Sequence, residues 1–409
     1  MQEIQSQDNN QAADSAVKDK NDDGAQRQCL QKARSLWLSP SNKQDLDQVE
    51  TMLRSLWFEK QQDEETTTTT NPKRAKTQVD PCSVKGQAGA RLALWLIQSG
   101  RTEQADEILK QLSFQCRLSS RLLNGDNDET NHPIKTTISS TPAPCRVYNY
   151  FLSNQDCQQL FSVFGDISSS YWTDHNYSVE PPSPYYSYLV PLKQLDSFGF
   201  LGSLITRLQE ALVDWQPLLK TCSAVELWAH NRPAATGHQL HFDTDNEGCG
   251  DSAVRHPLVT TILYLTDAGG PTLVSNQRKA SRHAADKGWT SYAAVGRMAA
   301  MDGRVLHCVV PGKATTAQQR RVTLMLAFWR RIKVRDEPTP GAARKFPLDR
   351  PWAQALRDPS LQSTAPDSWK LEENRVNSQP LDHVFEDLNG EPWQITSGLP
   401  NYDCVFQGI

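Results

Sequence analysis

Five short apolar runs follow one another between residues 224 and 329: AVELWAH (224–230), LVTTILYLTD (258–267), PTLVSN (271–276), GRVLHCVV (303–310) and RVTLMLAFW (321–329). Gly, Pro, Asn and Asp punctuate them, and no helical segment alternates with them. A parallel sheet needs long, usually helical, crossovers, so this pattern points to a sandwich, barrel or jelly roll. Helices are expected only upstream, at residues 200–219 and in FLSNQDCQQLF, where one begins near Ser153.

Outside this block the texture changes. Residues 1–27 are rich in Gln, Asn and Asp, residues 61–81 (QQDEETTTTTNPKRAKTQVDP) are low in complexity, and residues 119–142 abound in Asn, Asp, Ser and Thr. None carries enough apolar surface to offset the entropy of ordering, so all three are expected to be disordered. Between them Leu46, Val49, Met52, Leu53, Leu56 and Trp57 recur at helical intervals behind a Ser41–Gln44 capping-box spacing. Residues 90–97 and 105–112 make two further helical segments around Ser99-Gly100. The phrase LALWLIQSGRTEQADEILKQL is similar to one tetratricopeptide hairpin, but no second copy follows, which leaves a small helical appendage. The expected organisation is a mostly disordered tail at 1–42, a helical appendage at 43–118 containing the 61–81 linker, and a second linker at 119–142. A β-rich domain at 143–335 follows, then a C-terminal extension at 336–409 that packs back on the core through its aromatics.

Charge and cysteines narrow the setting. A formal net charge of -4 argues against a general nucleic-acid binder, which usually advertises a basic face. The nine cysteines contain no C-x-x-C pair, which fits a reducing compartment. Residues 1–28 hold no apolar signal segment, and nowhere do eighteen apolar residues run together. Cytosol or nucleus is the expected location, without a membrane partner.

The chemistry is concentrated in GHQLHFDTDNEG. His241 and Asp243 are two residues apart, so on an extended chain both side chains leave the same face and can share an ion. LHCVVPG supplies His307 as a third ligand, and two histidines with one carboxylate form the facial triad of non-haem iron(II) oxygenases. In RVTLMLAFW, alternation sends Arg321 and Thr323 to one face and Val322, Leu324 and Leu326 to the other. A guanidinium beside a hydroxyl can clamp the carboxylate of a small diacid, and the same alternation turns Arg320 away. Gly269, Gly270 and Gly303 read as turns. Asp245 and Glu247 read as a solvated acidic loop, and His238 as a spectator to His241.

Taken together, HFDTD, TTILYLTDAGGPTLV, MDGRVLHCVVPG and RRVTLMLAFW resemble the prolyl 4-hydroxylase-like branch of the 2-oxoglutarate and iron(II)-dependent dioxygenases, over about residues 145–331. The resemblance implies a mainly β core, a double-stranded β-helix or jelly roll with flanking helices. It implies that His241, Asp243 and His307 bind Fe(II), and that Arg321 pairs with the distal carboxylate of 2-oxoglutarate, assisted by the Tyr264 hydroxyl and by Thr323. Ascorbate is a further expectation, as an accessory. The implied reaction consumes dioxygen and hydroxylates a substrate C–H bond, releasing succinate and CO2.

Two departures bear on the substrate. Many relatives carry Tyr-x-x-Gly ahead of the first histidine, where this chain has WAHNRPAATGHQLH, so His230, Arg232 and His238 have no assigned role. The nucleic-acid demethylase branch carries a second arginine six residues after the first, and here that position is Ala327. A protein or peptide is therefore the expected substrate, a small molecule next, and nucleic acid disfavoured. A protein partner docking on the N-terminal helices is a further expectation. The rival classes are a jelly-roll binding protein without catalysis, which the intact ligands disfavour, and a zinc hydrolase, which would not require Arg321.

Overall fold

The computed structural model describes residues 24–58, 79–124, 143–174, 186–245, 254–317, 319–334, 343–366, 369–376, 379–394 and 398–408. Its α-helices longer than a single turn, in chain order, are α1 (residues 24–38), α2 (Lys43–Phe58), α3 (Val84–Gln98), α4 (Thr102–Gln111), α5 (Asn154–Phe164), α6 (Gly199–Leu212) and α7 (Pro351–Leu356). The strands are β1 (Cys116–Leu118), β2 (Cys145–Tyr148), β3 (Ser187–Pro191), β4 (Ala224–Pro233), β5 (His238–His241), β6 (Val259–Tyr264), β7 (Thr272–Arg278) and β8 (Gly288–Ser291). They continue with β9 (Met298–Asp302), β10 (Val305–Val309), β11 (Arg320–Trp329), β12 (Ala343–Lys345), β13 (Arg375–Val376), β14 (Gln379–Leu381), β15 (Phe385–Asp387) and β16 (Val405–Phe406).

The described residues are thus mostly β in their core. An eight-stranded sheet runs β12-β3-β4-β11-β6-β9-β2-β13 and a five-stranded sheet runs β14-β8-β7-β10-β5. Antiparallel pairing prevails; in the larger sheet only β12 joins its neighbour in parallel. Alternation along β11 explains the layering. Val322, Leu324, Leu326 and Phe328 face one core with Leu201, Leu204 and Leu208 of α6. Met325 faces the opposite way, into a smaller core where Ile262 and Met301 of the large sheet meet Val274, Trp289 and Val305. The two sheets therefore pack face to face, and α5, α6 and α7 cover the outside of the larger one.

The outer face of the smaller sheet is covered by the N-terminal helices. Leu273, Leu306 and Cys308 share one apolar cluster with Leu53 and Trp57 of α2 and with Leu92 and Leu96 of α3. The helical segment is thus a layer of the fold rather than a detached appendage, because its apolar stripe needs that sheet face to bury itself. Arg117 of β1, 1% exposed, reinforces the layer: its Nε donates to Asp106 Oδ1 of α4 at 2.7 Å, and its guanidinium also pairs with Glu386 of β15.

Several boundaries differ from those expected. Residues 24–38 are helical although 1–42 reads as mostly disordered, since Leu30, Ala33 and Trp37 recur at helical spacing and are buried. Helix α2 is capped by Asn42 rather than Ser41: Asn42 Oδ1 accepts from Asp45 N (3.0 Å) while Asp45 Oδ2 accepts from Ser41 N (2.6 Å). Residues 119–124, assigned to a linker, include a helical turn that buries Leu122 and Leu123 and donates Ser120 N to Glu386 Oε2 (3.0 Å). The rest of 1–27, 61–81 and 119–142 lies outside the described residues, apart from a turn at 79–81. In the C-terminal extension β12, β13 and β14 join the edges of the two main sheets, and β15 and β16 flank β1. Among the described residues no helix is long and apolar enough to cross a membrane.

Candidate metal centre and cofactor cavity

Strands β5 and β10 are antiparallel neighbours, and their register sets His241 directly opposite His307. Side chains paired across two strands leave the same face, so the imidazoles meet with ring centroids 4.2 Å apart. Asp243, two residues past His241, places Oδ1 3.7 Å from His241 Nε2 and 3.6 Å from His307 Nε2. One donor atom from each of the three lies within 4.8 Å of the others. Two ligands at about 2.1 Å from one ion stand at most about 4.2 Å apart, so small side-chain adjustments suffice to close on a metal.

The surroundings prepare each group for that role. His241 Nδ1 lies 2.7 Å from the Gln239 carbonyl and His307 Nδ1 3.0 Å from the Val305 carbonyl. A carbonyl only accepts, so both Nδ1 atoms carry the proton and both Nε2 lone pairs are free for an ion. Thr260 Oγ1 donates to Asp243 Oδ2 at 2.6 Å, which leaves Oδ1 turned toward the histidines. Desolvation, with the neighbouring His307 adding to it, pushes the His241 imidazole below its ordinary range and so favours the neutral form that a metal requires.

Across the cavity Arg321 projects from the inner face of β11. It is 5% exposed, and its Nη2 donates to Thr272 Oγ1 at 2.9 Å. Its Nη1 stands 3.5 Å from Thr323 Oγ1, and its Cζ lies 5.3 Å from the Tyr264 ring centroid. No carboxylate among the described residues pairs with this cation, its Nε has no hydrogen-bond partner, and burial lowers its pKa. A desolvated guanidinium with an unused donor is the counterpart of an absent anion. Gly269 makes room for it: φ is +97°, and a Cβ there would stand 2.7 Å from Arg321 Cδ. The Gly269-Gly270 phrase is therefore more than a turn.

A cavity of about 1030 Å³ joins these parts, with His241, Asp243, His307 and Arg321 in its wall. Tyr264 and Thr323 are fully buried behind that wall; the Tyr264 hydroxyl is 2.9 Å from Thr272 Oγ1. Both therefore support Arg321 and Thr272 instead of lining the cavity. Arg320 projects elsewhere, its Nε donating to Asn231 Oδ1 (2.6 Å) and its Nη2 to the Asn231 carbonyl (2.8 Å). Thr272 and Thr260 are contributors that sequence reasoning missed; alternation within VTTILY and TLVSN was the available signal. The same alternation along β4 brings Glu226, Trp228, His230 and Arg232 to the cavity wall. His238 is there too, its Nδ1 3.1 Å from Arg232 Nη1 and its ring 4.6 Å from that of His241. Asp245 is tied to Arg255, whose backbone N donates to Asp245 Oδ1 at 2.9 Å; Glu247 lies outside the described residues.

No protein-family model and no curated protein matches the chain. Among solved structures it is similar to a prolyl-4-hydroxylase from Pseudomonas putida, at 13% identity and a TM-score of 0.30 over 46% of this chain and 94% of that one. It is similar as well to HygX from Streptomyces hygroscopicus, crystallised with iron bound (11% identity, TM-score 0.28, 50% and 92% covered). A third is a non-heme alpha ketoglutarate dependent carbocyclase from nogalamycin biosynthesis (10%, TM-score 0.31, 46% and 79% covered). At such TM-scores the likeness carries no argument, and the chemistry rests on the side chains themselves.

Proposed function

We propose that this protein is an iron(II)- and 2-oxoglutarate-dependent dioxygenase that hydroxylates a C–H bond, built on a double-stranded β-helix. One observation carries the reading: the donors of His241, Asp243 and His307 converge in the same cavity as a buried arginine that lacks an anionic partner among the described residues. Two imidazoles and one carboxylate suit Fe(II) and leave positions open. A zinc hydrolase would use the same ligands and give Arg321 nothing to bind.

In this reading His241, Asp243 and His307 hold the metal, with their orientation fixed by the Gln239 and Val305 carbonyls and the Thr260 hydroxyl. Arg321 and Thr272 receive the distal carboxylate of 2-oxoglutarate, and Tyr264 and Thr323 keep them in place. Bound iron(II) supplies the coupling of 2-oxoglutarate decarboxylation, with dioxygen, to substrate hydroxylation, giving succinate, CO2 and the alcohol. Apolar Ile262 and Met325 in the cavity wall limit the water that reaches these groups. A protein or peptide remains the favoured substrate class, since Ala327 stands where the base-repair branch has its second arginine.

The test is oxygen-dependent succinate formation by the full-length protein supplied with iron(II), first alone and then with peptide, nucleotide and metabolite pools. Slow formation without prime substrate is expected, and His307→Ala is expected to remove it. Equal turnover by His307→Ala would overturn the assignment.

A further inference from the structure

His238 stands where strand alternation would not put it. Three residues from His241, it belongs on the opposite face of a regular strand. The pairing of β5 with β10 shows why it lies elsewhere: His241 is opposite His307 and His238 is opposite Val309, so three steps along β5 match two along β10. The extra residue is a β-bulge, a device that re-aims a side chain. His238 is thereby turned to the face that carries the metal ligands, and His238, His241, His307 and Val309 all line the cavity. The two imidazoles of β5 stand with ring centroids 4.6 Å apart and planes 33° from parallel.

A second, independent observation fixes what this ring offers. Arg232 Nη1 lies 3.1 Å from His238 Nδ1. A guanidinium has donors only, so Nδ1 accepts and Nε2 carries a proton. His238 is half-buried, and Nε2 has no acceptor among the described residues yet is not one of the buried side-chain atoms left without a partner, so this donor opens on the cavity. Arg232 stands directly opposite Arg321 across β4 and β11. His238 therefore touches the triad on one side, through His241, and on the other the strand residue that faces Arg321.

We propose that His238 binds the metal-held end of 2-oxoglutarate, its Nε2–H donating to an oxygen of the C1 carboxylate while Arg321 takes the distal carboxylate. This rests on the oxygenase reading of the same cavity. A diacid stretched from the triad to Arg321 would pass the His238 N–H, and a carboxylate oxygen makes a charge-assisted acceptor for it, about twice as strong as a neutral one. Arg232 is then a positioning residue that sets the His238 tautomer. The bulge in β5 adds a donor beside the ligands that a regular strand could not place there.

The test is anaerobic calorimetric titration of 2-oxoglutarate into the iron(II)-loaded, full-length protein and two variants, with iron(II) affinity measured for each. His238→Phe keeps a ring against His241 and removes both nitrogens, so 2-oxoglutarate affinity should fall about tenfold or more, the scale of one hydrogen bond to a charged group. His238→Gln, whose amide nitrogen can reach the place of Nε2, should recover much of that loss. Iron(II) affinity should stay within a few-fold of the parent in both, which separates a lost contact to the co-substrate from a disturbed His241. The loss in His238→Phe should add to that in Arg321→Met, as contacts at opposite ends of one ligand do. Parental 2-oxoglutarate binding that His238→Phe leaves unchanged, or that falls only in step with iron(II) binding, would overturn this inference alone. No 2-oxoglutarate binding by the parent would overturn the oxygenase reading and the inference with it.

Discussion

Replacing Arg321 with methionine keeps the length of the side chain and removes its charge. In the ligand-free protein the loss is small, because the guanidinium is buried without a carboxylate partner among the described residues, keeps Nε unbonded, and gains only hydroxyl contacts such as Thr272 at 2.9 Å and the Tyr264 ring 5.3 Å away. Replacing a buried charge by an apolar side chain of similar volume is often neutral or stabilising, so the melting temperature of the apo-protein should hold or rise. With 2-oxoglutarate bound the sign reverses. Truncating one side of a buried, hydrogen-bonded charge pair costs about 2–5 kcal/mol, which is about 30-fold to several-thousandfold in affinity. Anaerobic calorimetry of 2-oxoglutarate against the iron(II)-loaded protein reads this directly, with metal content measured alongside and expected to be unchanged. Arg320→Ala is the control, since its guanidinium is engaged by Asn231. An affinity within a few-fold of the parent in Arg321→Met, or a larger loss in Arg320→Ala, would refute the assignment of the carboxylate to Arg321.

Three further outcomes follow from other contacts. Gly269→Ala places a Cβ 2.7 Å from Arg321 Cδ on a backbone with φ of +97°, so 2-oxoglutarate affinity should fall with iron(II) affinity preserved; unchanged affinity for both would show that the close approach is irrelevant. Glu50 is held near 2, instead of 4.5, first by Arg101, with Arg54 and Trp95 adding to it. The stability it contributes is present above pH 4.5 and lost as pH falls toward 2; Glu50→Gln should remove about 1–2 kcal/mol of it after allowance for solvent screening, and an unchanged pH–stability curve between 2 and 5 would contradict this. Residues 143–409 expressed alone would expose Leu273, Leu306 and Cys308, so this fragment should aggregate or melt well below the parent; a cooperative transition at the parent's temperature would show that the helical layer is dispensable.

The parts of the site that could be read in the sequence were those governed by period-two alternation. His241 and Asp243 share a face because they are two apart on an extended chain, and Arg321 turns inward while Arg320 does not for the same reason. Register was not legible: nothing in GHQLH or VLHCV states that His241 and His307 stand opposite each other, since that depends on pairing across more than sixty residues. Strand β9, MAAMD, was missed because its Met and Ala residues favour helices, and burial on both faces overrides that preference. Gly303, which reads as a turn, does form one with Arg304, and that turn separates β9 from β10. The N-terminal helices announced their amphipathic faces, but the surface those faces cover is assembled from residues far along the chain, so their share of the cavity wall could not be anticipated.

Anaerobic titration of iron(II) into the metal-free, full-length protein tests the central claim most directly. One ion per chain is expected to bind in the parent, and Asp243→Ala, which removes the carboxylate between the two imidazoles, is expected to lose affinity by more than about a hundredfold, beyond the roughly 10- to 100-fold that follows loss of a group merely supporting a ligand. Tight stoichiometric iron(II) binding by Asp243→Ala, or none by the parent, would contradict the account.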